Sequence, residues 1–219
     1  MKKLRDLVFR VSSDPKFGFG HISRCIELRR HLPNKVSWFF DKLVPKNIVS
    51  LINSEDKIFY ENNNFDFTNW IIAMEKNLDA LGVIDGYNFN YKTIKKFQDR
   101  IVYFSDNIIN IKARLIINPQ PGLPKKNGEL SGVKYLIVNK SFHRKNKKNF
   151  NFKMKYPLHF LISFGTVDTL NLTTKVAKCI LDHESFKNKI IPTCFVPDDF
   201  QHLESLRKLK NYNKDLVII

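Results

Sequence analysis

The stretch that most constrains the fold lies at the start of the chain. An apolar run, Leu4 to Val11, feeds a loop, Ser12 to Gly20, rich in Ser, Asp, Pro and Gly. Ile22, Cys25, Ile26, Leu28 and Leu32 then recur at the spacing of one helix face. Strand, glycine-bearing turn and helix in that order make the opening half of a nucleotide-binding type of unit. Gly18 and Gly20 let the backbone turn tightly, or approach a ligand, with no Cβ in the way. The helix start offers unpaired N–H groups and a partial positive charge, a seat for an anion. Here G-x-G is followed directly by His, so the third glycine of the dinucleotide fingerprint is missing.

His21 stands at that helix start. The helix dipole and Arg24, three residues on along the same face, both oppose a second positive charge there. A neutral imidazole is therefore expected, and a neutral imidazole can take a proton from water as a general base. The plainer alternative, a histidine that only caps the helix, fits the local pattern equally.

Beyond this unit, strand and helix patterns alternate. Strands are expected at Lys35 to Phe40, Lys57 to Tyr60, Leu81 to Asp85, Ile101 to Phe104 and Arg114 to Ile117. Helices are expected at Leu43 to Ile52, Phe67 to Lys76 and Tyr91 to Phe97, with a turn at Asn62 to Asn64. The expected architecture is α/β, a doubly wound parallel sheet. Asp85 closes one strand and Ser105-Asp106 follow another, on the sheet edge where ligands sit in such folds.

A second unit opens with a strand, Leu158 to Phe164, a loop, Gly165 to Leu170, and a helix from Asn171 to Ile180. Asn171 is a favoured N-cap residue. A strand at Ile190 to Val196, a helix at Phe200 to Leu209 and a strand at Leu216 to Ile219 follow. The expected division is a Rossmann-like lobe at 1–143, a basic linker at 144–156 and a second, incomplete lobe at 157–219. Only about 65 residues remain for that lobe, against about 100 or more for an ordinary domain, so it reads either as cut short or as an unusually small lobe.

With 219 residues, 43% of them hydrophobic, the chain can bury a core. Arg5, Asp6 and Arg10 interrupt the first apolar run, so no signal-peptide core is read, and no 18-residue apolar run suggests a membrane span. Cys25, Cys179 and Cys194 are widely spaced, which fits reduced thiols in a cytoplasm and no metal site. The net charge is +16, with basic residues scattered except from Lys140 to Lys155. This reads as a solvated lysine coat that also favours an anionic substrate, and no nucleic-acid or membrane partner is expected. A monomer is expected.

The order of these signals resembles a known family: the UDP-sugar hydrolase of bacterial pseudaminic acid synthesis and its spore-coat polysaccharide relatives, within the two-lobed glycosyltransferase-B superfamily. FR followed by GFGHISR, Phe9 to Arg24, resembles the segment that holds the family's catalytic histidine, here His21. VIDGYNF, Val83 to Phe89, is similar to its aspartate-x-tyrosine segment, so Asp85 and Tyr87 carry over. FSDN, Phe104 to Asn107, keeps one of two usual aspartates as Asp106, and LIINPQ, Leu115 to Gln120, keeps an asparagine as Asn118. SGVKYLIVNKSF, Ser131 to Phe142, resembles the stretch closing the first lobe. ISFGTVDTLNLT, Ile162 to Thr173, is similar to the loop and helix that open the nucleotide lobe. Ser12, Gly86, Ser105, Asn139 and Thr166 replace residues the family commonly carries.

The resemblance implies cofactor-free, metal-independent hydrolysis of a UDP-linked diacetamido-trideoxy sugar to UDP and the free sugar. His21 would be the base. Gly18, Gly20, Arg24, Asp85, Tyr87 and Asp106 would form the sugar site, and Gly165, Thr166, Asp168 and Asn171 the nucleotide site. A glycosyltransferase of the same superfamily and a non-catalytic remnant are the alternatives.

Overall fold

The computed structural model describes residues 5–61, 67–87, 90–106, 111–121, 128–139, 155–165 and 167–219, with backbone only at 91 and 93. The expected turn at Asn62 to Asn64, Thr166 and nearly all of the basic run from Lys140 to Lys155 lie outside the described residues. The chain divides into two compact units, Met1–His143 and Arg144–Ile219.

The first unit is built on a seven-stranded sheet. Its strands are β1 (Leu7–Val11), β2 (Val36–Phe40), β3 (Lys57–Tyr60), β4 (Leu81–Asp85), β5 (Ile101–Phe104), β6 (Leu115–Asn118) and β7 (Glu129–Ser131). They lie in the order β3-β2-β1-β4-β5-β6-β7, each paired parallel to its neighbour. Helices α1 (Gly20–Arg29), α2 (Lys46–Val49), α3 (Thr68–Lys76) and α4 (Tyr91–Lys95) connect successive strands, as parallel pairing requires.

All five residues of β1 are buried, because helices cover both faces of the sheet and a continuous apolar run is then favoured. Leu7, Phe9 and Val11 pack with Trp38, Phe40 and Val83 beneath Ile22, Cys25 and Ile26 of α1. Val8 points the other way and packs with Phe39 and Ile84 beneath Trp70 and Met74 of α3. A Cβ on Gly82 would lie 3.0 Å from the Trp70 ring, which is why β4 carries glycine where that indole crosses it.

The chain runs from β1 outward to β2 and β3, then returns to the opposite side of β1 as β4. A crevice opens outside the carboxyl ends of strands at such a reversal. Val11 of β1 is in register with Asp85 of β4, and the Ser12 N–H donates to the Asp85 carbonyl at 2.9 Å. The residues that follow β1 and end β4 are thereby fixed side by side.

Two departures from the sequence reading have local causes. The helix expected over Leu43 to Ile52 is only the single turn α2. Pro45 keeps the preceding Val44 out of helical backbone, and the Ser50 hydroxyl bonds back to the Asn47 carbonyl at 2.8 Å. Strand β7, with the sequence ELS, is too short and polar to show an alternation, and it was not anticipated.

The second unit holds β8 (Leu158–Ile162), β9 (Ile190–Cys194) and β10 (Val217–Ile218), parallel in the order β10-β9-β8. With α5 (Leu172–Asp182) and α6 (Leu203–Tyr212) they enclose a small core of Ile162, Ala177, Cys194, Phe200, Leu206 and Leu216.

Candidate functional site

Five of the polar residues singled out in the sequence meet at the crevice beside β1 and β4. His21 is the second residue of α1, whose start has no side-chain cap. Its Nδ1 lies 2.7 Å from Oδ1 of Asp85, a carboxylate with no solvent exposure. A carboxylate only accepts hydrogen bonds, so Nδ1 carries the proton and donates it. Arg24 Nη2, 3.4 Å from the same nitrogen, cannot then be its donor. In the neutral ring the free lone pair is then on Nε2, for which no partner exists among the described residues. The imidazole lines a cavity of about 600 Å³.

Arg24, one turn further along α1, grips two carboxylates. Its Nε and Nη2 donate to Asp85 at 2.8 and 2.6 Å, and its Nη1 donates to Asp106 at 2.9 Å. Burial alone would favour loss of the Arg24 charge, but the bonds to Asp85 and Asp106 outweigh it and hold the guanidinium charged. Burial likewise tends to raise the Asp106 carboxyl, and the Arg24 bond overrides this and keeps it below the usual carboxylate range. The Tyr87 hydroxyl donates to Asp106 at 3.3 Å. The Tyr87 ring meets His21 edge-on, with centroids 4.8 Å apart, and Phe17 at 5.1 Å. Burial and the neighbouring Asp106 charge raise the phenol. Cys25, buried with its Sγ 3.5 Å from Asp85, has its thiol raised well above the ordinary range by burial and that carboxylate.

The electrostatics around His21 differ from the sequence argument. Arg24 was expected to act on the imidazole as a lone positive charge. Asp85 and Asp106 neutralise it, and Asp85 sets the tautomer directly. The two glycines also part ways. Gly18 takes a left-handed φ of 71° and closes the 3-10 turn Pro15–Phe17 by donating to the Pro15 carbonyl, which is a conformational duty. Gly20 lines the cavity, and a Cβ there would meet nothing within 4 Å. Its missing side chain leaves room beside His21.

Sequence reasoning passed over the far end of the cavity. Glu27 and Arg30 continue the α1 face of Gly20, Ser23 and Arg24, and all five line the cavity. The signal was their spacing at three and four residues, hidden among the charges of an ordinary helix. Leu136 to Asn139 supply the facing wall.

In the second unit, Gly165 adopts a left-handed φ of 80°, while Thr166 is outside the described residues. Asp168 corrects the expectation of a helix start open to an anion. Its carboxylate accepts the N–H groups of Leu172 and Thr173, each at 2.8 Å. Burial would raise that carboxyl, and the bonds, led by the Thr173 N–H, hold it low instead. Asn171 precedes the helix but caps nothing with its side chain, having taken a left-handed φ of 51°. Asp168 has replaced it as the cap.

No family model matches the chain. It is 25% identical to an uncharacterized protein of Methanocaldococcus jannaschii over 221 residues, 91% of this chain and 44% of that protein. Among solved structures, MurG of Acinetobacter baumannii matches with a TM-score of 0.52 at 12% identity, over 98% of this chain and 66% of MurG. The shared feature is a mixed α/β fold built on a parallel sheet. This likeness concerns the fold alone, and the chain spans less than half the length of the archaeal relative. Among the described residues no helix is long and apolar enough to cross a membrane.

Proposed function

We propose that the first unit holds the sugar of a UDP-linked amino sugar and that His21 activates the water that releases it. The observation that carries this reading is the 2.7 Å bond from His21 Nδ1 to the fully buried Asp85. It commits the ring to the tautomer whose Nε2 can accept a proton, and the acid behind it stabilises the imidazolium that results. As water oxygen bonds to the anomeric carbon, Nε2 takes one of its protons. The bond from that carbon to the diphosphate oxygen breaks, and its electron pair leaves with UDP.

The charge pattern supports a sugar rather than a phosphate in this cavity. Arg24 is committed to Asp85 and Asp106, and Arg30 to Glu27, so both cations of the cavity are already paired. A doubly charged diphosphate gains little there, whereas hydroxyl and amide donors find acceptors. On the resemblance, the sugar is a diacetamido-trideoxy hexose of the pseudaminic acid type, and the loop at Gly165 and Thr166 of the second unit serves the nucleotide.

Transfer to an acceptor hydroxyl is the second reading, with the same base acting on a different oxygen. A hollow of about 510 Å³ shares Ile26, Arg30 and Leu51 with the sugar cavity, which gives an acceptor room. Incubation with a UDP-amino sugar separates the two. UDP formed in buffer alone means hydrolysis, UDP formed only with an added acceptor sugar means transfer, and no UDP under either condition overturns both.

A further inference from the structure

The cavity has two polar ends. His21, Arg24, Tyr87 and Asp106 form one. The other is Glu27, six residues further along α1 and so about 9 Å away along the helix axis, roughly the span of one substituted hexose. Apolar side chains also line the cavity, Ile26 from α1 and Leu136, Ile137 and Val138 from the facing segment.

Glu27 is an unusual residue for such a position. It is 5% exposed, and charged side chains that deep are normally fully paired. Here the pairing is one-sided. Oε2 accepts from Arg30 Nη1 at 2.7 Å and from Asn139 Nδ2 at 3.1 Å. Oε1 meets His31 Nε2 at 3.6 Å, beyond hydrogen-bond distance, and no other partner exists for it among the described residues. A carboxylate has about four lone-pair sites, so acceptor capacity remains at Oε1, beside the apolar Ile26 and Leu136 to Val138 of the cavity wall. Arg30, half exposed, pairs with Oε2 alone and leaves Oε1 open.

We propose that Glu27 is a specificity-determining residue: its carboxylate accepts a hydrogen bond from a hydroxyl or amide N–H on the side of the sugar ring remote from the reacting carbon. The inference rests on the sugar-binding reading above. It selects sugars carrying a donor at that remote position, with the apolar wall covering ring C–H groups or a methyl substituent beside it. A purely structural duty, fastening the 136–139 segment to α1 through Asn139, is the competing explanation, and the two differ in their response to the ligand.

The test is binding of UDP-N-acetylglucosamine and its 3-, 4- and 6-deoxy analogues, by calorimetry, to the whole chain and to Glu27→Ala, Glu27→Gln and Asn139→Ala. Glu27→Ala is expected to weaken the parent ligand about ten- to hundredfold, the cost of an unpaired donor. One deoxy analogue should bind the wild-type chain equally weakly, and Glu27→Ala should be indifferent to that deletion, so that the two losses do not add. Glu27→Gln, which keeps an acceptor oxygen, should recover part of the affinity. Losses that simply add, an Asn139→Ala chain that reproduces Glu27→Ala on every ligand, or no change in any Glu27 variant would overturn the proposal. Glu27-dependent binding with no UDP release would uphold it while overturning the His21 chemistry. UDP release that Glu27 substitutions leave untouched, in kcat and KM alike, would do the reverse. Failure of the wild-type chain to bind any of the four ligands overturns both.

Discussion

Replacing Asp85 by Asn tests the core of the site with almost no change of shape. Oδ1 of Asp85 accepts from both His21 Nδ1 and Arg24 Nη2, and Oδ2 accepts from Arg24 Nε. An amide has one oxygen to offer. With its NH2 in the Oδ2 position, it opposes Arg24 Nε. With the NH2 in the Oδ1 position, it opposes Arg24 Nη2 and donates to His21 Nδ1, moving the histidine proton to Nε2 and disabling the base. Breaking a buried pair by removing one partner costs about 3–5 kcal/mol. Asp106 still holds Arg24 and the amide keeps one acceptor, so the lower figure, about 3 kcal/mol, applies. For a chain of this length each kcal/mol moves the unfolding midpoint by about 2–4 °C, so a drop of about 6–12 °C is expected by circular dichroism. The kcat for UDP release should fall by about 10²–10⁴, the upper figure matching loss of the orienting acid in a hydrolase triad. Asp106→Asn is the control, because Asp106 bonds Arg24 and Tyr87 but not His21. It should cost kcat far less. Equal losses in the two variants, or an Asp85→Asn chain that is less stable yet turns over normally, would refute the orienting role and leave Asp85 a structural anchor.

Gly20 should separate space from backbone freedom. Gly20→Ala is expected to keep or raise the unfolding midpoint, since alanine favours a helix over glycine, whereas Gly20→Leu should project into the cavity and lower UDP release about a hundredfold. In the second unit, Asp168→Ala should cost about 1 kcal/mol as a lost cap, read in urea unfolding. Asp168, Asp106 and Asp56 all have carboxyls held below their ordinary values. For Asp56, burial opposes the shift and the Arg29 bond prevails. Their stabilisation is therefore complete above the unfolded value near 3.9 and is lost as pH falls through the lower folded values. Unfolding midpoints should drop steeply below about pH 4, and the Asp168→Ala chain should show a shallower drop.

Much of the sheet could be read from residue patterns. Leu81–Asp85 and Ile101–Phe104 form strands at the expected residues because burial on both faces demands unbroken apolar runs. The same runs place Asp85 and Asp106 at strand ends, so their approach to the crevice was also legible. Pairing was not. Nothing local tells that Asp85 faces His21 rather than Arg24 alone, because that depends on the register of β1 against β4 and on the pitch of α1. The charges were misjudged for the same reason: a cation three residues away is visible in sequence, while the carboxylates that neutralise it come from 61 and 82 residues on. Glu27 was missed because a glutamate on a helix is ordinarily a solvent-facing residue, and its contact with Asn139 lies 112 residues away in sequence. Asp168 displaced Asn171 as the cap because a carboxylate three residues upstream reaches two N–H groups at once.

The central claim is that the Nε2 nitrogen of His21 removes the proton of the attacking water. Its most direct measurement is the rate of UDP release, without acceptor, by the His21→Ala chain against the wild-type chain, with far-ultraviolet spectra recorded for both. Loss of the base predicts a fall of at least about 10²-fold in kcat with an unchanged spectrum. A folded His21→Ala chain that releases UDP at more than a tenth of the wild-type rate would contradict the account.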